Sequence, residues 1–226
     1  LNPSSAASDV YKRQMQFLPV EIDQYAAKHT AAHSELLSLI EHETWQEVLM
    51  PRMLSGHQQG RLLSLLSHLI KPDRILEVGT YTGYSAICMA EGLTKNGLLH
   101  TIDINDELKP RVEKYLKKGN LSNTIKLHFG DAKHIIPSLN EKWDMVFIDA
   151  DKESYSDYFD LVIDNTKTGG IIIADNVLWS GKVADPNKKD NETIGLNNFN
   201  KKIALDMRVE HQLLPIRDGI MIARKI

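Results

Sequence analysis

The chain is 226 residues long, 42% hydrophobic and 25% charged, enough apolar material for one globular core and unlike disordered, fibrous or disulfide-stapled chains. A formal net charge of -3 gives no general attraction to nucleic acid or anionic lipid. The single cysteine, Cys88, excludes an internal disulfide and suits a reducing compartment. No apolar run approaches the length of a membrane span, and the N-terminus lacks the basic-then-apolar pattern of a signal peptide, so a cytoplasmic protein is expected.

In chain order, residues 1–14, LNPSSAASDVYKRQ, stand apart. Asp9–Gln14 is the translation of GATGTGTATAAGAGACAG, a transposon end used in sequencing libraries. The segment is therefore expected to be adapter read into protein, with Met15 as the native start. One domain is expected over 15–226, opening with helices over 15–70. VEIDQYAAKHTAAHSELLSLIEHE and QQGRLLSLLSHLI place apolar residues at three- and four-residue spacing, and Pro51 and Gly56 interrupt the pattern between them.

From Arg74 strand and helix alternate. RILEVG (74–79), LLHTIDI (98–104), IKLHFG (125–130), WDMVFIDA (143–150) and GGIIIADN (169–176) are the expected strands. Helical patterns such as SAICMAEGL, DELKPRVEKYLKKG and YSDYFDLVIDNT cross back between them, which is an α/β, doubly wound, Rossmann-like parallel sheet. After a helix near Ile194–Met207 come VEHQLLPI and GIMIARKI, separated only by Arg217 and Asp218. That spacing predicts an antiparallel hairpin with turn chemistry at Asp218-Gly219, making seven strands.

Ligands in such sheets sit beyond the carboxyl ends of the strands. The first strand runs into Glu77-Val78-Gly79-Thr80-Tyr81-Thr82-Gly83-Tyr84-Ser85, a glycine turn without the G-x-G-x-x-G spacing of dinucleotide sites. A pyrophosphate there would meet the Glu77 carboxylate, with like-charge repulsion on the order of several kcal/mol. A cation is attracted instead, and S-adenosylmethionine (SAM), with a sulfonium, an ammonium and no phosphate, suits such an end. Asp103 closes the second strand, where a carboxylate can accept ribose hydroxyls. Gly130-Asp131-Ala132 closes the third, near where an adenine would lie. The plain alternative reads Glu77, Asp103 and Asp131 as helix caps or loop acids.

Asp149 and Asp151 end the fourth strand, and Asp175 and Asn176 the fifth. Three carboxylates and an amide oxygen on neighbouring strands repel one another unless a cation neutralises them, and an all-oxygen set points to Mg²⁺, Mn²⁺ or Ca²⁺. Beside a dication the Lys152 ammonium is disfavoured, which makes Lys152 a candidate general base for a hydroxyl. The alternative has Asp149 and Asp151 capping the next helix with Lys152 in solvent.

VFIDADKESY, ADNVLWSG, EVGTYTGYS and the closing LPIRDGIMIARK closely resemble the cation-dependent O-methyltransferases, the group that contains the catechol and caffeoyl-coenzyme A O-methyltransferases and many small bacterial relatives. The resemblance spans Met53 to Ile226. It implies a class I methyltransferase fold, a small phenolic acceptor with vicinal hydroxyls, and a homodimer. It implies that Asp149, Asp175 and Asn176 hold the metal and that Lys152 is the base. Glu77, Gly79, Thr80, Tyr81, Ser85, Asp103, Ala132, Asp149 and Asp151 would surround the methyl donor, and Ser55 would close over its methionine end. Lys152, Asn176 and Ser180 would contact the acceptor.

The segment GKVADPNKKDNETIGLNN lacks the residues that select substrate in the plant and animal enzymes, so the acceptor is open. A hydroxyuridine of tRNA and a non-catalytic nucleoside-binding role are the rival readings. His29 and His33 have a zinc-pair spacing but no third acidic ligand and read as ordinary histidines. Cys88 reads as packed, and Lys182, Lys188 and Lys189 as a solvated loop. Trp179 reads either as a wall of the acceptor pocket or as packing.

Overall fold

The five apolar runs form the parallel part of one seven-stranded sheet, in a computed structural model that describes residues 18–226. The expected adapter segment 1–14 and the expected start at Met15 lie outside the described residues. The strands are β1 (Arg74–Val78), β2 (Leu98–Asp103), β3 (Ile125–Phe129), β4 (Trp143–Ile148), β5 (Thr166–Asp175), β6 (Val209–Leu214) and β7 (Ile220–Lys225). Their order is β3-β2-β1-β4-β5-β7-β6, with β1 to β5 parallel and β7 antiparallel to both β5 and β6.

The chain therefore winds outward from β1 to β3, then returns to lay β4 on the other side of β1. That reversal opens a crevice at the carboxyl ends of β1 and β4. Residues alternate faces along each strand. Ile75, Met145, Phe147 and Ile173 face one apolar core; Leu76, Val146, Ile148 and Ile172 face the other.

The first core is covered by α2 (Glu35–Glu47), α3 (Gly56–Ile70), α4 (Tyr84–Ala90) and α5 (Lys109–Lys118). The second is covered by α6 (Ala132–Leu139), α7 (Tyr155–Ile163) and α8 (Asn191–Leu205). Because β4 is buried on both faces, its sequence is a continuous apolar run rather than an alternation. Truncating the fully buried Phe147 to alanine would cost about 3–5 kcal/mol.

Polar residues set the helix starts. The side chains of Ser34, Asp131 and Asp190 accept hydrogen bonds from the backbone N–H groups of Leu37, Lys133 and Thr193. The plain reading of Asp131 as a cap thus describes its geometry. The first helix, α1 (Val20–Lys28), buries none of its residues. No helix among the described residues is long and apolar enough to cross a membrane.

The hairpin differs from its expected form. Its last ladder pair is Leu214 with Ile220, so the connection is the longer stretch Pro215-Ile216-Arg217-Asp218-Gly219 rather than a two-residue turn. Arg217 takes a φ of 51° and Gly219 one of 88°. The extra length carries Arg217 and Asp218 back to the carboxyl ends of the parallel strands.

Candidate active site

At the end of β1 the backbone reverses through Gly79, with φ of 107°. A Cβ at this position would lie 1.9 Å from the carbonyl oxygen of Asp149, so only glycine lets the ends of β1 and β4 approach this closely. The Asp103 carboxylate ties the turn from β2. Its Oδ2 accepts the backbone N–H groups of Thr80 at 3.0 Å and Tyr81 at 2.8 Å, and its Oδ1 accepts that of Asn105 at 3.0 Å. Tyr81, at φ 47°, turns its hydroxyl to the carbonyls of Leu49 and Met50, each 3.2 Å away.

Glu77 lies beneath this turn and is fully buried. Its two oxygens accept the hydroxyls of Ser85 and Thr101, each at 2.5 Å, and Thr101 in turn meets Thr80 at 2.6 Å. Burial pushes the Glu77 carboxyl up to about 8, with the charges of Asp149 and Asp103 adding to the effect against the two hydroxyl bonds. Glu77 is thus a buried carboxyl that supports the turn from below, with its proton affinity raised.

Ala132 is buried at the first position of α6, and Ser55 is buried just ahead of α3, where its side chain makes no capping bond. Asp151 precedes the one-turn helix Lys152–Ser154 without capping it; its Oδ1 instead accepts the Tyr158 hydroxyl.

At the ends of β4 and β5 the second set converges. Lys152 is buried, and its Nζ donates to Asp149 Oδ1 at 2.9 Å and to the Tyr155 hydroxyl at 2.7 Å. The Tyr155 hydroxyl donates to the Asp175 carbonyl at 3.0 Å, which fixes the lysine against the end of β5. Burial opposes the Lys152 charge, but Tyr155 and the Asp149 carboxylate outweigh it and hold the ammonium above the usual lysine range. The lowering expected of Lys152 belongs to a dication beside it, whose charge would act against these partners. Gly195 of α8 lets the helix rest on the turn, since a Cβ there would lie 2.8 Å from the Lys152 carbonyl.

Asp175 is buried, and burial followed by the Asp149 charge raises its carboxyl to about 6. Its Oδ1 accepts the Asn176 N–H at 2.8 Å and its Oδ2 accepts Gln59 Nε2 at 2.6 Å. Asn176 stands at φ 60°, a left-handed conformation that asparagine tolerates better than most residues. Its side-chain amide has no hydrogen-bond partner among the described residues.

These groups fit a hard divalent cation. The Asp149 charge raises the proton affinity of Asp175, the Asn176 amide oxygen has no partner among the described residues, and the Lys152 ammonium supplies a counter-charge. Among the described residues no group of three or more His, Cys, Asp or Glu side chains could hold a metal. Beyond Asp149 and Asp175, a cation here would therefore rely on Asn176 and on oxygens from outside the chain.

Four neighbours were not foreseen as site residues. Tyr155 anchors Lys152, Gln59 reaches Asp175 from α3, Arg217 reaches Gln59 at 2.9 Å, and the Asp218 carboxylate accepts the Ser180 N–H. Trp179, at φ 47°, places its ring 5.9 Å from Lys152 Nζ. It lies against Lys152 and also packs on the second core.

A family model described as O-methyltransferase matches residues 27–226. The chain is 36% identical over 172 residues to the catechol O-methyltransferase of Niastella koreensis, spanning 74% of this chain and 78% of that one. It is 34% identical over 186 residues to the caffeoyl-CoA O-methyltransferase of Medicago sativa, spanning 77% and 75%. The O-methyltransferase TomG of Streptomyces achromogenes, involved in tomaymycin synthesis and solved in complex with SAM, matches with a TM-score of 0.84 at 28% identity over 91% of this chain and 96% of that one. An O-methyltransferase of Bacillus cereus solved with SAH matches with a TM-score of 0.83 at 27% identity, over 91% and 97%.

Proposed function

The chain belongs to the O-methyltransferase family, and from that premise we propose that it is a SAM-dependent, divalent-cation-dependent enzyme that methylates one hydroxyl of a small catechol-type acceptor. The observation that carries this reading is the meeting of Asp149, Lys152, Asp175 and Asn176 beside the glycine turn at Gly79.

The geometry of each residue supports a role for it. Asp103 braces the turn, and the Glu77 carboxyl stiffens it from beneath. Asp149, Asp175 and the Asn176 side-chain oxygen would hold the cation. A divalent ion there would supply Lewis acidity to the acceptor, and SAM, when bound, would supply an electrophilic methyl group.

Lys152 is the proton acceptor. Its ammonium is now retained chiefly by Tyr155 and by the charge of Asp149. A cation held by Asp149 would offset part of that retention, and burial, which opposes the charge, would then favour the neutral amine, its proton passing to solvent. The neutral amine, still located by Tyr155, then takes the acceptor's proton. Trp179 shields Nζ from water, and the rigid ends of β4 and β5 hold nucleophile and methyl donor in line.

Methyl transfer from labelled SAM to catechol, with and without chelator, tests the reading. Activity is expected to vanish with chelator, to return with Mg²⁺ or Mn²⁺, and to fall at least about 100-fold in Lys152→Met. Catechol methylation that ignores both chelator and substitution would overturn it.

A further inference from the structure

Asp175 is a buried acid at the end of β5, and among the described residues no cationic side chain bonds its carboxylate. The partner on its outer oxygen is Gln59, fully buried on α3, with Nε2 2.6 Å from Oδ2. A glutamine amide can present either end to a neighbour. Here the ambiguity is removed by Arg217, whose Nη1 donates to Gln59 Oε1 at 2.9 Å. A guanidinium only donates, so Oε1 must face Arg217 and Nε2 must face Asp175. Three elements distant in sequence, α3, the end of β5 and the β6–β7 loop, thus close into one directional chain.

Arg217 makes few other hydrogen bonds among the described residues. It is exposed, and its φ of 51° is one that glycine adopts without strain. Its other contact is a long one, Nη2 to the Leu54 carbonyl at 3.4 Å.

We propose that Gln59, oriented by Arg217, is a positioning residue for the Asp175 carboxylate and thereby sets how tightly the ends of β4 and β5 take a divalent cation. The inference rests on the cation reading above and extends it to two residues that need not touch the ion. With Oδ1 fixed by the Asn176 N–H and Oδ2 by Gln59, the carboxylate plane cannot rotate, and each oxygen keeps a lone pair for a ligand bond. Partners of this kind behind metal ligands typically change affinity by about 10- to 100-fold.

The test is Mn²⁺ binding to the full chain, without methyl donor or acceptor, read as loss of the free-ion electron paramagnetic resonance signal. Arg217→Gly is expected to weaken binding about tenfold while thermal stability stays equal or rises, because glycine suits that backbone. Arg217→Lys is expected to recover part of the affinity through a single donor. Gln59→Leu is expected to lose at least as much as Arg217→Gly, and the double variant no more than Gln59→Leu alone, since Arg217 acts through Gln59.

Mn²⁺ affinity of Arg217→Gly within about twofold of wild type, or additive losses in the double variant, would overturn the proposal. It does not depend on Gln59→Leu folding, because Arg217 is exposed. Wild-type protein that takes up no Mn²⁺ overturns the cation reading and this inference with it. Mn²⁺ uptake without methyl transfer counts against the acceptor reading alone.

Discussion

Replacing Glu77 with glutamine isolates the contribution of one buried carboxyl to stability. Burial lifts its pKa from the ordinary 4.5 to about 8, so the folded chain holds this proton more tightly than the unfolded chain does. Below pH 4.5 both states are protonated and the difference contributes nothing. Between 4.5 and 8 unfolding releases the proton, and stability falls by about 1.4 kcal/mol per pH unit. Above 8 both states are ionised and the slope disappears. Across the window the loss is on the order of 5 kcal/mol.

A glutamine at 77 is neutral throughout, and it can accept one hydroxyl while donating to the other of Ser85 and Thr101. Urea unfolding of wild type and Glu77→Gln from pH 4 to 9 is the assay. The variant is expected to gain stability over wild type steadily between pH 5 and 8. Parallel curves across that range would refute the reasoning, because they would mean that Glu77 is already ionised inside the fold.

Gly79→Ala places a Cβ against the Asp149 carbonyl oxygen at a φ that alanine resists; a loss of more than about 4 kcal/mol is expected by thermal unfolding, and a variant as stable as wild type would count against the close approach of β1 and β4. Asp103→Ala removes the acceptor for two turn N–H groups and is expected to raise the KM for SAM about tenfold with kcat within about twofold; an unchanged KM would show that the turn needs no brace. Cys88 is buried with its thiol pushed up to about 12 by burial, so a thiol reagent at pH 8 should find it only after denaturant is added. Rapid labelling of the native chain would contradict that packing.

The parts of the molecule legible in the sequence are those written in local pattern. The apolar runs of β1 to β5 and the acids at their ends could be read because burial on both faces makes a strand continuous and the carboxyl ends of parallel strands fall together. Helix α6 was less visible, having eight residues and an internal Pro137.

Contacts made across long sequence separations were not legible. Gln59 sits in an ordinary amphipathic helix, and nothing nearby in the chain reveals that its amide reaches Asp175, 116 residues away. Arg217 and Asp218 resembled turn residues because Asp-Gly chemistry does make turns; that the loop is longer and bends back over the strand ends follows from where the β6–β7 ladder stops. The reversal of Glu77 from open carboxylate to buried carboxyl has a similar origin. A strand's alternation says which residues share a face, but not that two hydroxyls already await the acid there.

The place of β7 has a consequence for synthesis. Among the described residues it follows every other strand, yet it lies between β5 and β6 and is the antiparallel partner of β5. While a nascent chain is still threading the ribosome, β5 keeps one edge bare, and such an edge invites mispairing until residues 220–225 emerge. Asp175 pairs directly with Ile220, so a chain stopped before residue 220 would leave its acids on an unpaired edge.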